Sequence, residues 1–155
     1  MVNKVGIIGC GKIFPRHLEA IQQNSNYQLV SVCDNNPEVL NEAFLSTGAT
    51  PFEDYKKMID KGDINFVVIA TPNSQHFNQA LYALENKCDV LIEKPATLNP
   101  SLLKILIRKG KRHKQNIYCV LQVRLNSCIQ NLKHIIDNEI AGKIRGVSLV
   151  QRWQR

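Results

Sequence analysis

Short apolar runs alternate with stretches of helical period along the first 120 residues, and this alternation constrains the chain more than any other feature. "KVGIIG", "YQLVSVCD", "INFVVIATP", "CDVLIEKP" and "IYCVLQ" read as strands, with a shorter one opening "TPFEDYKKMID". "INFVVIATP" is apolar almost throughout, the pattern of a strand covered on both faces. Between the runs, Ile13, His17, Leu18 and Ile21 recur at helical spacing, as do Phe77, Ala80, Leu81 and Leu84, and again Leu102, Leu103, Leu106 and Ile107. Asn36 and Pro37 form a helix start and Gly48 a helix stop. Strands separated by helical stretches of this length imply βαβ units and a parallel sheet. Right-handed crossovers place helices on both faces. The expected fold is α/β, a doubly wound parallel sheet over residues 1–120.

Residues 121–155 read differently. A helix carrying Ile129, Leu132 and Ile136 on one face is followed by a turn at Gly142 and a strand in "KIRGVSLVQRW". One helix and one strand do not bury a core of their own. The expectation is the truncated start of a second, α+β domain.

The hydrophobic fraction of 44% and charged fraction of 21% are those of a soluble globular protein with a real core. No apolar stretch approaches the roughly 20 residues of a membrane span, and no signal peptide is read at the N-terminus. Cys10, Cys33, Cys88, Cys119 and Cys128 contain no Cys-x-x-Cys pair. They read as reduced thiols of a cytoplasmic protein, and no metal site is expected. The net charge of +7 draws much of its excess from "IRKGKRHK" and "QRWQR". Few aromatic residues accompany those cations, so no nucleic-acid partner is expected.

"VGIIGCGKIFPRH" places Gly9 and Gly11 between the first strand and its helix. In a dinucleotide fold the first glycine makes the turn and the second lets the backbone approach the pyrophosphate. The third allows close helix–strand contact. Phe14 stands in that third place, and its ring is expected to point outward, toward the cofactor cleft. The next strand ends in Asp34, 23 residues after Gly11 and near the spacing of about 20 for the ribose-binding acid. Asn35 and Asn36 supply no cation for a 2′-phosphate, which favours NAD over NADP.

"GCGKIFPRH", "FEDYKKMID", "VVIATPNSQHF" and "DVLIEKPATLNP", in this order and spacing, resemble the glucose–fructose oxidoreductase, inositol dehydrogenase and rhizopine-catabolism (Gfo/Idh/MocA) family. The resemblance covers nearly the whole chain. It implies a Rossmann domain for residues 1–120 and the start of a substrate and oligomerisation domain at 121–155. It implies that Gly9, Gly11, Lys12 and Ile13 line the cofactor pyrophosphate and that Asp34 holds the adenosine ribose. Thr71, Pro72, Asn73 and His76 would line the cofactor further along, and Glu93, Lys94 and Pro95 would flank the nicotinamide. Lys94 is the implied catalytic residue, its ammonium stabilising an alkoxide as hydride leaves. Arg124 matches a substrate position. The competing readings are a plain surface lysine for Lys94 and a helix-start polar residue for His76. His17 reads as a core histidine.

Within the family, "IFPRHLEAI" and "VLQVRLN" most resemble enzymes that oxidise the sugar of UDP-N-acetylglucosaminuronate, a lipopolysaccharide precursor. The implied activity is NAD-dependent hydride transfer from a sugar or nucleotide-sugar hydroxyl, in a cytoplasmic homo-oligomer. A non-catalytic NAD(P)-binding module or sensor is the alternative. Family members usually take their general base, a histidine, from the second domain. The chain is therefore expected to bind cofactor but to oxidise sugar poorly on its own. It is read as a fragment of a longer enzyme, ahead of a natural short protein or one that completes its site with another chain.

Overall fold

The computed structural model describes residues 2–148 and 150. They divide between Val120 and Leu121 into two units. The first unit is built on a six-stranded sheet in the order β3-β2-β1-β4-β5-β6. The strands are β1 (Asn3–Ile8), β2 (Tyr27–Cys33), β3 (Thr50–Phe52), β4 (Phe66–Ile69), β5 (Asp89–Ile92) and β6 (Ile117–Cys119). Every pairing is parallel. Pro51, which has no N–H, sits in β3 at the sheet edge, where a missing donor breaks no central ladder. The intervening helices are α1 (Phe14–Gln22), α2 (Pro37–Thr47), α3 (Tyr55–Lys61), α4 (His76–Glu85) and α5 (Pro100–His113). The order of elements and their parallel pairing follow the sequence pattern.

Alternate residues of the central strands feed two separate cores, which is why β4 is apolar at every position. Ile8, Val67, Ile69, Val90 and Ile92 join Met58, Ala80, Leu84 and Leu106 of α3, α4 and α5 on one face. Val5, Ile7, Val32, Phe66 and Val68 join Phe14, Leu40 and Ala43 of α1 and α2 on the other. Burying such side chains contributes about 1.5–3 kcal/mol each relative to exposure. Helix ends are fixed locally. Asn36 accepts from the amides of Glu38 and Val39 at the start of α2, and Gly48 closes the helix in the left-handed conformation. Asp54 and Asn99 cap α3 and α5 in the same way as Asn36. Ile107, placed by spacing on the buried face of α5, is instead 42% exposed.

Phe14 departs from expectation. Its ring is turned into the core with Leu40 and Ala43, only 5% exposed, rather than outward toward the cofactor cleft. The small side chains Ala43 and Ala49 belong to the same cluster. Burial is worth more to a phenyl ring than the aqueous cleft, so α1 begins on a core anchor where a glycine would have let it begin on a bare backbone.

The second unit contains a 3-10 turn (Gln122–Leu125) and α6 (Ser127–Asp137), whose N-terminus is capped by Asn126. No residue of α6 is buried; Leu132 and Ile136 are exposed. The strand expected in "KIRGVSLVQRW" is not formed at residues 143–148 or Val150, because no backbone among the described residues pairs with them. Its remaining positions lie outside the described residues. Among the described residues, no helix is long and apolar enough to cross a membrane.

All five cysteines are unpaired. Burial, with the Asp34 charge adding, pushes the Cys10 thiol up to about 12. Burial and the neighbouring Cys10 and Asp34 do the same for Cys33, and burial beside Asp89 lifts Cys88 to about 11. The thiolate is the reactive form. A thiol reagent at pH 8 will therefore label exposed Cys128 and leave Cys10, Cys33 and Cys88 intact in the folded chain, as peptide mass mapping will show. When unfolded, these thiols lose their protons near 9; folded, they hold them to 11–12. The unfolded state then binds fewer protons over that range, so their contribution makes stability fall as pH rises above 9, measurable by urea unfolding. Phe14→Ala will cost about 3–5 kcal/mol in the same assay without improving NADH affinity.

Candidate functional site

The C-terminal ends of the strands turn away from the sheet at one level. The Gly9 amide donates to Cys33 O, the Ala70 amide to Ile8 O and the Glu93 amide to Ile69 O, each at 2.8–2.9 Å. Each bond extends a ladder one step past its strand. The glycine turn, the Thr71 loop and the Glu93 corner are thereby brought together.

Gly9 and Gly11 do different jobs in that turn. Gly9 has a φ of +95°, and a Cβ there would lie 2.7 Å from the Ala70 carbonyl carbon and oxygen. The position requires glycine both by conformation and by the close approach of the next strand's exit. A Cβ on Gly11 meets nothing within 4 Å. Its freedom from a side chain leaves open space above the turn.

That space is a cleft of about 390 Å³ whose lining includes Gly9, Gly11, Asp34, Glu53, Thr71 and Pro72. Asp34 is tied to the glycine turn. One carboxylate oxygen accepts from the Cys10 amide at 2.8 Å and the other from the Asn36 amide at 2.9 Å. A carboxylate has about four lone-pair sites, so two stay available for a pair of hydroxyls. The walls carry two carboxylates, Asp34 and Glu53, and no lysine or arginine. This donor set fits a ribose diol and opposes a 2′-phosphate. Lys12, Ile13 and Asn73 are exposed beside these residues and do not contribute to the walls.

His76 is corrected from a cofactor-lining residue to a buried strut. It is 0% exposed, and both ring nitrogens are engaged, Nδ1 with Pro95 O at 2.9 Å and Nε2 with Thr71 O at 2.8 Å. It joins the loop after β4 to the loop after β5. Gln79, which spacing alone did not mark, accepts from the Thr71 hydroxyl at 2.6 Å and donates to Gln75 at 3.0 Å. The i, i+4 pair of glutamines at the start of α4 was the available signal.

Glu93 is part-buried, and Lys94 and Pro95 are exposed, with the Lys94–Pro95 peptide cis. The Glu93 carboxylate meets His17 Nε2 at 3.1 Å and accepts from the Lys94 amide at 3.2 Å. His17, read from sequence as a core histidine, is buried but makes this polar contact. Arg124 lies exposed on the 3-10 turn of the second unit. Among the described residues, no group of three His, Cys, Asp or Glu side chains is placed to hold a metal.

Comparison with known proteins places this geometry in context. Residues 3–121 match the Gfo/Idh/MocA family model, described as an oxidoreductase family with an NAD-binding Rossmann fold. A glucose-6-phosphate 3-dehydrogenase of Bacillus subtilis is 31% identical over 96% of this chain and 42% of its own length. The WlbA dehydrogenase of Bordetella pertussis, solved with NADH and UDP-GlcNAcA, superposes with a TM-score of 0.88 at 31% identity, over 92% of this chain and 44% of that one. A myo-inositol 2-dehydrogenase of Lactobacillus plantarum gives a TM-score of 0.85 at 27% identity, over 93% and 43%. The chain thus spans less than half the length of these relatives. A match across the whole of the first unit, with the glycine turn and its acid in one cleft, makes this chain a member of the Gfo/Idh/MocA oxidoreductase family and its first unit an NAD-binding Rossmann domain.

Proposed function

We propose that this chain supplies the cofactor half of a dehydrogenase that moves a hydride between NAD and a hydroxyl of a nucleotide sugar of the UDP-N-acetylglucosaminuronate type. The observation that carries the reading is Asp34, joined to the glycine turn through the Cys10 amide in a cleft without cations. Asp34 would hold the adenosine ribose, and the Gly9–Gly11 backbone would face the pyrophosphate. Bound NAD supplies the hydride acceptor. Lys94, exposed at the corner after β5, would donate a hydrogen bond to the reacting hydroxyl oxygen and stabilise the negative charge that develops there. Arg124, on the second unit, is assigned to the substrate's carboxylate or diphosphate, which a guanidinium can meet in bidentate fashion. The nucleotide-sugar class rests on the likeness to WlbA. A cytoplasmic homo-oligomer working in lipopolysaccharide synthesis is the setting this reading implies.

Titration of the chain with NADH, followed by nicotinamide fluorescence, is expected to saturate; no response at millimolar cofactor would overturn the reading. Asp34→Asn will weaken NADH about tenfold, the loss of one charge-assisted hydrogen bond. Gly11→Val will block NADH while leaving the melting temperature nearly unchanged, because its side chain enters open space.

Addition of UDP-N-acetylglucosaminuronate to the NADH complex should change the nicotinamide emission. Lys94→Ala should abolish that change and retain NADH binding. A response to inositol or glucose 6-phosphate in place of the nucleotide sugar would reassign the substrate class.

A further inference from the structure

The contact between His17 and Glu93 joins residues 76 positions apart and ties the first helix to the corner that carries Lys94. Glu93 is only 14% exposed and His17 10%. A carboxylate withdrawn from water to this extent needs a donor, and the cost of leaving it unpaired exceeds the gain from an ordinary hydrogen bond. His17 supplies that donor to one oxygen, and the other accepts the Lys94 amide. The Glu93 backbone is fixed at the same time, its amide bonded to Ile69 O at 2.9 Å. On the far side of the corner, Pro95 O is held by His76. Lys94 therefore stands between two anchored residues while its own side chain stays exposed. His17 is itself fixed, since it follows the core anchor Phe14 by one turn of α1.

We propose that His17 is a positioning residue. By holding the Glu93 carboxylate it sets the Lys94 corner at the nicotinamide end of the cofactor cleft, without touching cofactor or substrate. The assignment rests on the NAD-binding reading above. It predicts that loss of the contact disturbs the nicotinamide half of the site and spares the Asp34 half, which is tied to the glycine turn by separate bonds.

The test compares two ligands that share the adenosine, pyrophosphate and ribose but differ in the nicotinamide. Binding of NADH and of ADP-ribose to the chain is measured by calorimetry, with melting temperature as a check on folding. His17→Leu is expected to weaken NADH about tenfold and to leave ADP-ribose within twofold of wild type. His17→Gln, whose amide N–H can reach Glu93, is expected to recover most of the NADH affinity. Equal loss of both ligands, or no loss of either, overturns the proposal. So does failure of His17→Gln to recover more than His17→Leu. If His17→Leu does not fold, His17→Asn, whose amide is too short to reach Glu93, decides: a selective NADH loss supports the proposal and an unselective one ends it. Wild-type chain that binds neither ligand would instead remove the NAD-binding reading, and this assignment with it.

Discussion

The site depends on parallel pairing at the centre of the sheet. β1 is bonded to β2 on one side and to β4 on the other, and β4 to β5. Parallel strands all point the same way, so the exits of β1, β2, β4 and β5 fall along one edge. The bonds that extend the ladders past the strands carry this order into the loops. Gly9 is still bonded to β2, Ala70 to β1 and Glu93 to β4 after each strand has ended. Side chains far apart in sequence meet because their backbones leave a common scaffold at a common level. The lack of a side chain at Gly9 is part of the same constraint, since the Ala70 carbonyl occupies the space a Cβ would need.

Much of this architecture was legible in the residues because it depends on short-range chemistry. Short continuous apolar runs bounded by turn residues suit strands that bury both faces, and the two cores draw on alternate residues of the same strands. Asn36 and Gly48 mark the ends of α2 by interactions confined to a few residues. Asp34 stands out in the sequence because a strand of ordinary length separates it from the glycine turn, and the fold sets it in the cleft beside that turn. What was misread depends on direction in space. Phe14 occupies a glycine's place in the pattern, but nothing in the pattern reveals that its ring joins Leu40, Ala43 and Ala49 in the core. His76 carries polar chemistry at a ligand-binding edge. Only the placement of Thr71 O and Pro95 O on either side of its ring shows that it serves the loops themselves. The strand expected near the end of the second unit needed a neighbouring backbone that none of the described residues supplies.

Asp34 and Glu93 show one arrangement used twice. Each carboxylate spends one oxygen on an amide in its own loop, Asn36 for Asp34 and Lys94 for Glu93. Each spends the other on a different element, the Cys10 amide for Asp34 and the His17 ring for Glu93. A carboxylate suits this work because its two oxygens can accept from several directions at once. The partners differ in kind. Asp34 is held on both sides by backbone, so its place survives substitution of the side chains around it. Glu93 has its backbone fixed by Ile69 O, but one of its carboxylate oxygens depends on a single histidine side chain on one helix.

That asymmetry gives the Asp34 cleft and the Lys94 corner separate supports. The Asp34 side is built on backbone that the sheet itself fixes, so it forms whenever the fold forms. The corner at Lys94 requires α1 to be seated at the correct height, and Phe14 provides that seat by entering the core one turn before His17. The departure from the glycine pattern thus acquires a structural consequence. A bulky residue where a glycine is usual anchors the helix whose next turn reaches Glu93, so the packing of α1 and the placement of Lys94 are linked through two side chains on one helix.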